Sequence, residues 1–212
     1  MIRAQNVSYR YPQSDAPAIA EFSAQFPRGE ISAVSGKNGC GKTTLTKLLA
    51  GVLRPTAGQV TIDGVDSANL DLFEIGQRIG YVFQNPNRQL FCDTVYNEIA
   101  FGLRNSGFDE TETEGEVSRY LELFKLETFR DTYPGRLSHG EKQRLALAAV
   151  LALGTGFLVL DEPTTGLDVG RKLEFGSMLL NLRRELNCGI VFVSHDSGFI
   201  ARFADRELVM TL

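Results

Sequence analysis

Gly36-Lys37-Asn38-Gly39-Cys40-Gly41-Lys42-Thr43 is the stretch that decides the fold. It follows Glu30 to Ser35, which reads as a strand, and opens a helix running to about Ala50. G-x-x-x-x-G-K-[ST] between a strand and a helix is a phosphate-binding loop. Its glycines let the backbone close around a polyphosphate, whose charge meets N–H groups and the helix N-terminus. Lys42 is placed to reach β- and γ-phosphates, and the Thr43 hydroxyl to ligate Mg²⁺. Gly36, Lys37, Asn38, Gly39, Cys40, Gly41 and Thr44 complete the candidate contact set. Cys40, near a helix N-terminus and Lys42, is either a reactive thiol or simply a small residue that fits the loop.

Outward from this loop the chain alternates between two periods. Ala18 to Phe26, Gln59 to Ile62 with the Asp63-Gly64 turn signal, and Arg78 to Phe83 read as strands. From about Thr94 to Leu153 the spacing is helical, with Val117, Tyr120, Leu121 and Phe124 recurring every three or four residues. Phe157 to Leu160 and Gly189 to Ser194 are compact apolar strands flanking a helical stretch from Asp168 to Leu186. Glu207 to Met210 is a last apolar strand. Strands alternating with helices predict a mostly parallel sheet with helices on its faces. The expected class is α/β, one domain over 1–212 with a helical subdomain of about 94–153 inserted in its core.

Composition excludes several alternatives. Charged residues nearly balance, 22 Lys and Arg against 26 Asp and Glu, so phosphate-backbone binding is not the expected business of this surface. The 21 Gly and 7 Pro are too few for a low-complexity chain. Cys40, Cys92 and Cys188 stand far apart and encode neither a disulfide scaffold nor a zinc site, which fits a reducing cytosol. The first residues, MIRAQNVSYRYP, hold no apolar core of signal-peptide length. Leu145 to Leu160, the longest apolar stretch, is broken at Gly154-Thr155-Gly156 and reads as a buried helix followed by a buried strand.

Phe157-Leu158-Val159-Leu160-Asp161-Glu162 supplies the partner of the phosphate loop. Asp161 emerges at the carboxyl end of a buried strand, where α/β sheets bind ligands, and is placed to hold Mg²⁺ directly or through water. Glu162 is placed to polarise a water for attack on the γ-phosphate.

Further segments carry a resemblance. Leu137-Ser138-His139-Gly140-Glu141-Lys142-Gln143-Arg144 resembles the LSGGQ signature of ABC ATPases. Pro163-Thr164-Thr165-Gly166-Leu167-Asp168 resembles their D-loop, Ser194-His195-Asp196 their switch histidine, Gln84 their Q-loop glutamine and Tyr11 the aromatic that stacks on adenine. These elements stand in family order from Tyr11 to His195. The resemblance implies a P-loop NTPase core, an antiparallel β region at the N-terminus, and a head-to-tail dimer burying two ATP molecules. Glu162, His195 and Gln84 would then be catalytic, and Thr43, Gln84 and Asp161 metal-associated. Ser138, Gly140, Asp168 and Tyr11 would contact nucleotide. Ser138 and Gly140 also suit an ordinary helix N-cap before a helix near Glu141. The signature departs from the common form at His139, in place of glycine, and at Glu141, in place of glutamine. The His139 side chain either nears a γ-phosphate or points to solvent.

Gln84-Asn85-Pro86-Asn87-Arg88-Gln89-Leu90-Phe91, followed by Thr94-Val95-Tyr96-Asn97-Glu98-Ile99-Ala100-Phe101-Gly102, is similar to the ATPase subunits of energy-coupling factor (ECF) importers, including the cobalt and nickel branch. Tyr9-Arg10-Tyr11-Pro12 fits the same group. Leu90 and Phe91 are either an apolar patch receiving a short amphipathic helix or core residues of the helical subdomain. This resemblance implies a peripheral protein on the cytoplasmic face of the membrane. Its partners would be a transmembrane scaffold subunit, a substrate-binding membrane subunit, and a second ATPase, identical or related. Relatives continue beyond the switch histidine, so dimerisation here is expected to lean on ATP or on the membrane partner. Other readings are an exporter or lipid-handling ATPase and, at odds with the charge balance and the single domain, a nucleic-acid- or ribosome-acting ABC protein.

Overall fold

The computed structural model describes residues 1–211. The chain forms two compact units, Met1–Tyr81 with everything from Gly156 onward, and Val82–Thr155 between them in sequence.

The first unit holds two sheets. One is antiparallel, in the order β2-β1-β4-β5, from β1 (Ile2–Tyr9), β2 (Ile19–Phe26), β4 (Ala57–Ile62) and β5 (Val65–Asp66). Ile2 lies opposite Phe26 on one side and Ile62 on the other, which makes β1 a central strand. Sequence reading did not find β1. Ile2 and Ala4 alternate correctly, but a bulge then delays the next inward residue to Val7. Asn6 takes φ 49° there, its N–H bonds Ser23 Oγ at 2.8 Å, and a period-two reading breaks. Asp63 (φ 50°) and Gly64 (φ 86°) make the tight turn from β4 to β5 that the dipeptide predicts.

The other sheet runs in the order β6-β7-β8-β3-β9, from β3 (Ile31–Gly36), β6 (Ile79–Val82), β7 (Phe157–Asp161), β8 (Gly189–Val193) and β9 (Arg206–Met210). The pairs β3–β8, β3–β9 and β7–β8 are parallel. Every residue of β7 and β8 is buried, as expected for strands covered on both faces. Helices α1 (Lys42–Leu49), α2 (Leu72–Gly76), α6 (Val169–Leu186) and α7 (Ser197–Phe203) belong to this unit. Leu45, Leu48 and Leu49 of α1 are fully buried in one core with Phe26, Ile62, Phe157 and Val191. Truncating any of these leucines to Ala should cost about 2–5 kcal/mol.

Register fixes where chemistry can happen. Val34 of β3 and Asp161 of β7 both lie opposite Val193 of β8. The segments that leave these three strands at their carboxyl ends, beginning at Gly36, Glu162 and Ser194, therefore emerge side by side.

The second unit carries α3 (Val95–Asn105), α4 (Glu110–Leu123) and α5 (His139–Leu151). Thr94 caps α3, and reciprocal capping boxes start α4 (Asp109 with Glu112) and α5 (Ser138 with Glu141). The acidic segment before Val117 is thus the first turns of α4, and α5 begins at His139 rather than near Glu141. Ile99, Leu103, Val117, Leu121 and Leu151 build its interior. The Tyr120 hydroxyl donates to the Leu151 carbonyl at 2.7 Å. Gly102 packs against Leu153 so closely that a Cβ would stand 2.9 Å from Leu153 Cδ2. Among the described residues no helix is long and apolar enough to cross a membrane.

Candidate active site

The phosphate loop turns directly into α1. Gly41 sits at the helix N-cap with φ 94°, and a Cβ there would meet the Ala18 carbonyl oxygen at 2.3 Å, so glycine is required twice over. No side chain caps α1, and its first N–H groups are left to an anion. Lys37, Asn38 and Gly39 are exposed along the loop, while Lys42 is buried. The Lys42 ammonium donates to the carbonyls of Gly36 (2.9 Å) and Lys37 (3.2 Å), and lies 3.7 Å from Glu162 Oε1. Cys40 is 3% exposed and packs into the core of this unit, so it is a small space-filling residue rather than an accessible thiol.

Two carboxylates leave β7 with different surroundings. Asp161 is 5% exposed, and its Oδ1 accepts from the Thr43 hydroxyl at 3.0 Å. Burial pushes its pKa up, opposed by the Thr43 bond. Tyr81, next to Asp161 and 3.3 Å from Thr46 Oγ1, is a neighbour that sequence reading did not assign, and burial lifts its pKa to about 12. Glu162 has φ 46°, a left-handed backbone that a glutamate adopts only when its surroundings impose it. Its N–H donates to Val193 O at 3.1 Å, and its Oε2 lies 2.9 Å from His195 Nδ1.

Lys42, Thr43, Asp161, Glu162 and His195 are thus brought together in one unit. Tyr11 joins them from the end of β1, its hydroxyl 3.2 Å from Thr44 Oγ1 and its ring edge-on to Tyr9. Asp168 caps α6 by accepting from the Arg171 N–H at 2.9 Å. Gln84, Ser138 and Gly140 belong to the second unit. There Gln84 and His139 are exposed. Ser138 Oγ accepts from Glu141 N–H at 3.4 Å, and Glu141 Oε2 returns a bond to Ser138 N–H at 2.7 Å. Glu141 thus closes a capping box, as the commoner glutamine at this position also could.

The same unit displays an aromatic pair. Phe91 is 67% and Phe101 48% exposed, edge-to-face at 4.9 Å. Of the two readings left open for this pair, Phe91 fits the exposed patch rather than the core, and Leu90 is half-buried. Glu98, 5% exposed, accepts the N–H groups of Phe91 (2.9 Å) and Cys92 (2.8 Å) and so fixes the turn that presents Phe91. Burial raises the Glu98 pKa, with both N–H bonds opposing, and the Cys92 thiol is pushed to about 11 by its own burial and by Glu98. Sequence reading missed this clamp. Its signal was a glutamate placed between the apolar positions Val95 and Ile99 of a helix.

Comparison with known proteins follows the same pattern. Residues 19–165 match the family model described as ABC transporter. The chain is 43% identical over 212 residues to the energy-coupling factor transporter ATP-binding protein EcfA of Methanothermobacter thermautotrophicus, covering 99% of this chain and 68% of that one. It is 40% identical to the Pyrococcus furiosus ABC transporter ATP-binding protein PF0068, covering 100% and 80%. It covers only 36% of a 37%-identical relative from Vibrio vulnificus. Among solved structures, cbiO1 of Clostridium perfringens, part of the cbiONQ transporter complex, superposes with a TM-score of 0.89 at 32% identity, covering 99% of this chain and 84% of that one. The cassette MJ0796, dimeric with ADP and Pi, superposes with a TM-score of 0.86 at 27% identity, covering 100% and 94%. With the phosphate loop, the paired acids and the histidine already assembled by the fold, the chain belongs to the ABC transporter family and is an ATP-binding ABC-type ATPase.

Proposed function

We propose that this ATPase is the energising subunit of an ECF-type importer of a vitamin or transition-metal ion, held at the cytoplasmic face of the membrane by a transmembrane scaffold. The observation that carries its hydrolytic part is Glu162, held in a strained conformation between the Lys42 ammonium and the His195 ring. Similarity to EcfA and cbiO1, together with the exposed Phe91–Phe101 pair beside the QNPxxQLF string, supports the ECF assignment.

Each residue then has one task. Lys42 exchanges two loop carbonyls for phosphate oxygens. The bare N–H groups of α1 hold the phosphates, with Thr44 beside them, and Tyr11 packs on the base. Thr43 and Asp161 fit Mg²⁺, being hard oxygen donors 3.0 Å apart beside the loop. Among the described residues no cluster of three His, Cys, Asp or Glu could alone hold a metal. Mg²⁺ takes one or two protein oxygens and completes its shell with phosphate and water. When bound, it supplies positive charge against the charge that builds on the phosphate oxygens. Glu162 accepts a proton from the attacking water, and His195 holds Glu162 and the γ-phosphate in register. Ser138 and Gly140 address the nucleotide of a second ATPase, identical or related, in a head-to-tail dimer whose closure moves the membrane partner.

Purification of tagged chain from native membranes in mild detergent, with mass spectrometry of its companions, tests the assignment. A small multispanning scaffold together with a separate small membrane binder is the expected result. A conventional paired permease, or ribosomes, would overturn the ECF reading and leave the ATPase standing.

A further inference from the structure

Two charged residues outside the site just described link the start of α6 to the switch histidine. Lys172 Nζ lies 2.5 Å from Asp196 Oδ2, across 24 positions of sequence. The other oxygen of Asp196 accepts the Phe199 N–H at 2.9 Å and caps α7. The Asp196 N–H donates to Ser194 Oγ at 3.1 Å, and Ser194 is fully buried. Both neighbours of His195 are therefore tied down, and one of them is tied to Lys172. Lys172 itself is set by helical register, because its N–H donates to the carbonyl of Asp168, the N-cap of α6, at 2.9 Å. The segment from Glu162 to Asp168 closes the circuit, and Thr165 N–H bonds Glu162 O at 3.2 Å within it. Glu162, His195, Asp196, Lys172 and Asp168 thus form a ring of contacts, with the 2.9 Å Glu162–His195 approach as its working edge.

We propose that Lys172 is a positioning residue for hydrolysis: its ion pair with Asp196 holds His195 against Glu162 and ties that contact to the seat of α6 behind Asp168. This inference rests on the roles given above to Glu162 and His195. An ordinary surface ion pair would contribute little, because solvent screens it and holding two long side chains together costs entropy. This one is different because it is partly shielded and because one of its members spends its second oxygen on the cap immediately after His195. The Lys172 hydrogen bond is also the largest influence holding the Asp196 carboxyl below its ordinary pKa.

The test compares Lys172→Met, Lys172→Arg, Asp196→Asn and the double variant Lys172→Met with Asp196→Asn in the full chain. Asn caps helices as well as Asp does, so Asp196→Asn keeps α7 and removes only the charge, and it carries the test should Lys172→Met not fold. The measurements are kcat and KM for ATP, and the ¹⁵N resonances of the His195 ring. Expected are a kcat loss of between about tenfold and a hundredfold with little change in KM, the size of effect that a small misplacement of a catalytic group produces. Lys172→Arg should recover most of it, the double variant should fall no further than either single, and the His195 Nδ1 resonance should move. Wild-type kcat in Asp196→Asn overturns the proposal. So do additive losses in the double variant, or parallel losses of kcat and ATP affinity with an unmoved His195 resonance, the mark of a merely structural pair. His195→Ala is the control: wild-type turnover there removes the underlying reading, and this proposal with it.

Discussion

The two units of the chain present their candidate groups in opposite ways. In the first, the working groups sit on segments leaving adjacent parallel strands, and each is held by a partner in the same unit: Thr43 by Asp161, Lys42 by loop carbonyls, His195 by Glu162. In the second, the groups are a helix cap, an exposed glutamine and two exposed phenylalanines. The first unit gathers charged groups around the phosphate loop, with Glu162 among them in a left-handed conformation. The second is organised for contact, its buried Glu98 serving only to hold an exposed turn in place. A charged cluster, buried at Lys42 and Asp161, and an exposed apolar pair call for different experiments.

The largest effect separating the units should come from Lys42→Ala. Losing a buried cation that meets phosphate costs about 3 kcal/mol, on the order of a hundredfold in ATP affinity. Isothermal titration with ATP and Mg²⁺ reads it directly, and unchanged affinity would place nucleotide binding elsewhere. Next in size, Phe91→Ala combined with Phe101→Ala should leave ATP affinity intact and weaken the membrane partner by about 2 kcal/mol, roughly thirtyfold, as loss of an aromatic anchor does. Pull-down against the scaffold subunit checks it. An equal loss of ATP affinity would erase the contrast between the units.

The smallest effect concerns the α5 cap. Glu141→Ala should cost about 0.5–1 kcal/mol of stability, whereas Glu141→Gln, which can also close a capping box, should cost less. Its hydrogen bonds with Ser138 hold the Glu141 carboxyl below the ordinary range of a glutamate. The folded-state pKa is depressed, so the contribution is full above the unfolded value and fades as the pH falls through the folded one. Denaturant melts between neutral pH and pH 3 should show a smaller fade in Glu141→Gln than in the wild type, the remainder coming from other carboxylates held below their ordinary pKa, such as Asp196 and Asp205.

How much was legible in the sequence follows the same division. His195 was marked by its resemblance to the switch histidine of the family. The phosphate loop, Asp161 and Glu162 could be located because each follows a strand-like stretch, and parallel strands must deliver such ends to one edge. The first strand could not, because the bulge at Asn6 shifts Val7 inward and spoils the alternation. The onset of α5 was set two residues late, since a serine before His139 and a glutamate three further on belong to one reciprocal cap. Glu98, Tyr81 and the Lys172–Asp196 pair were invisible for a common reason. Each acts through a partner distant in sequence or through backbone N–H groups, and no local pattern records such contacts.

The central claim is that Glu162 is the group that activates water beside the phosphate loop. Glu162→Gln keeps the size of the side chain and removes its capacity to take a proton. Measured together, ATP binding and steady-state turnover of this variant decide the matter. The account predicts wild-type ATP affinity, turnover lowered by about 10²- to 10⁴-fold, the usual contribution of a positioned general base, and accumulation of an ATP-loaded dimer. Hydrolysis at the wild-type rate would contradict it.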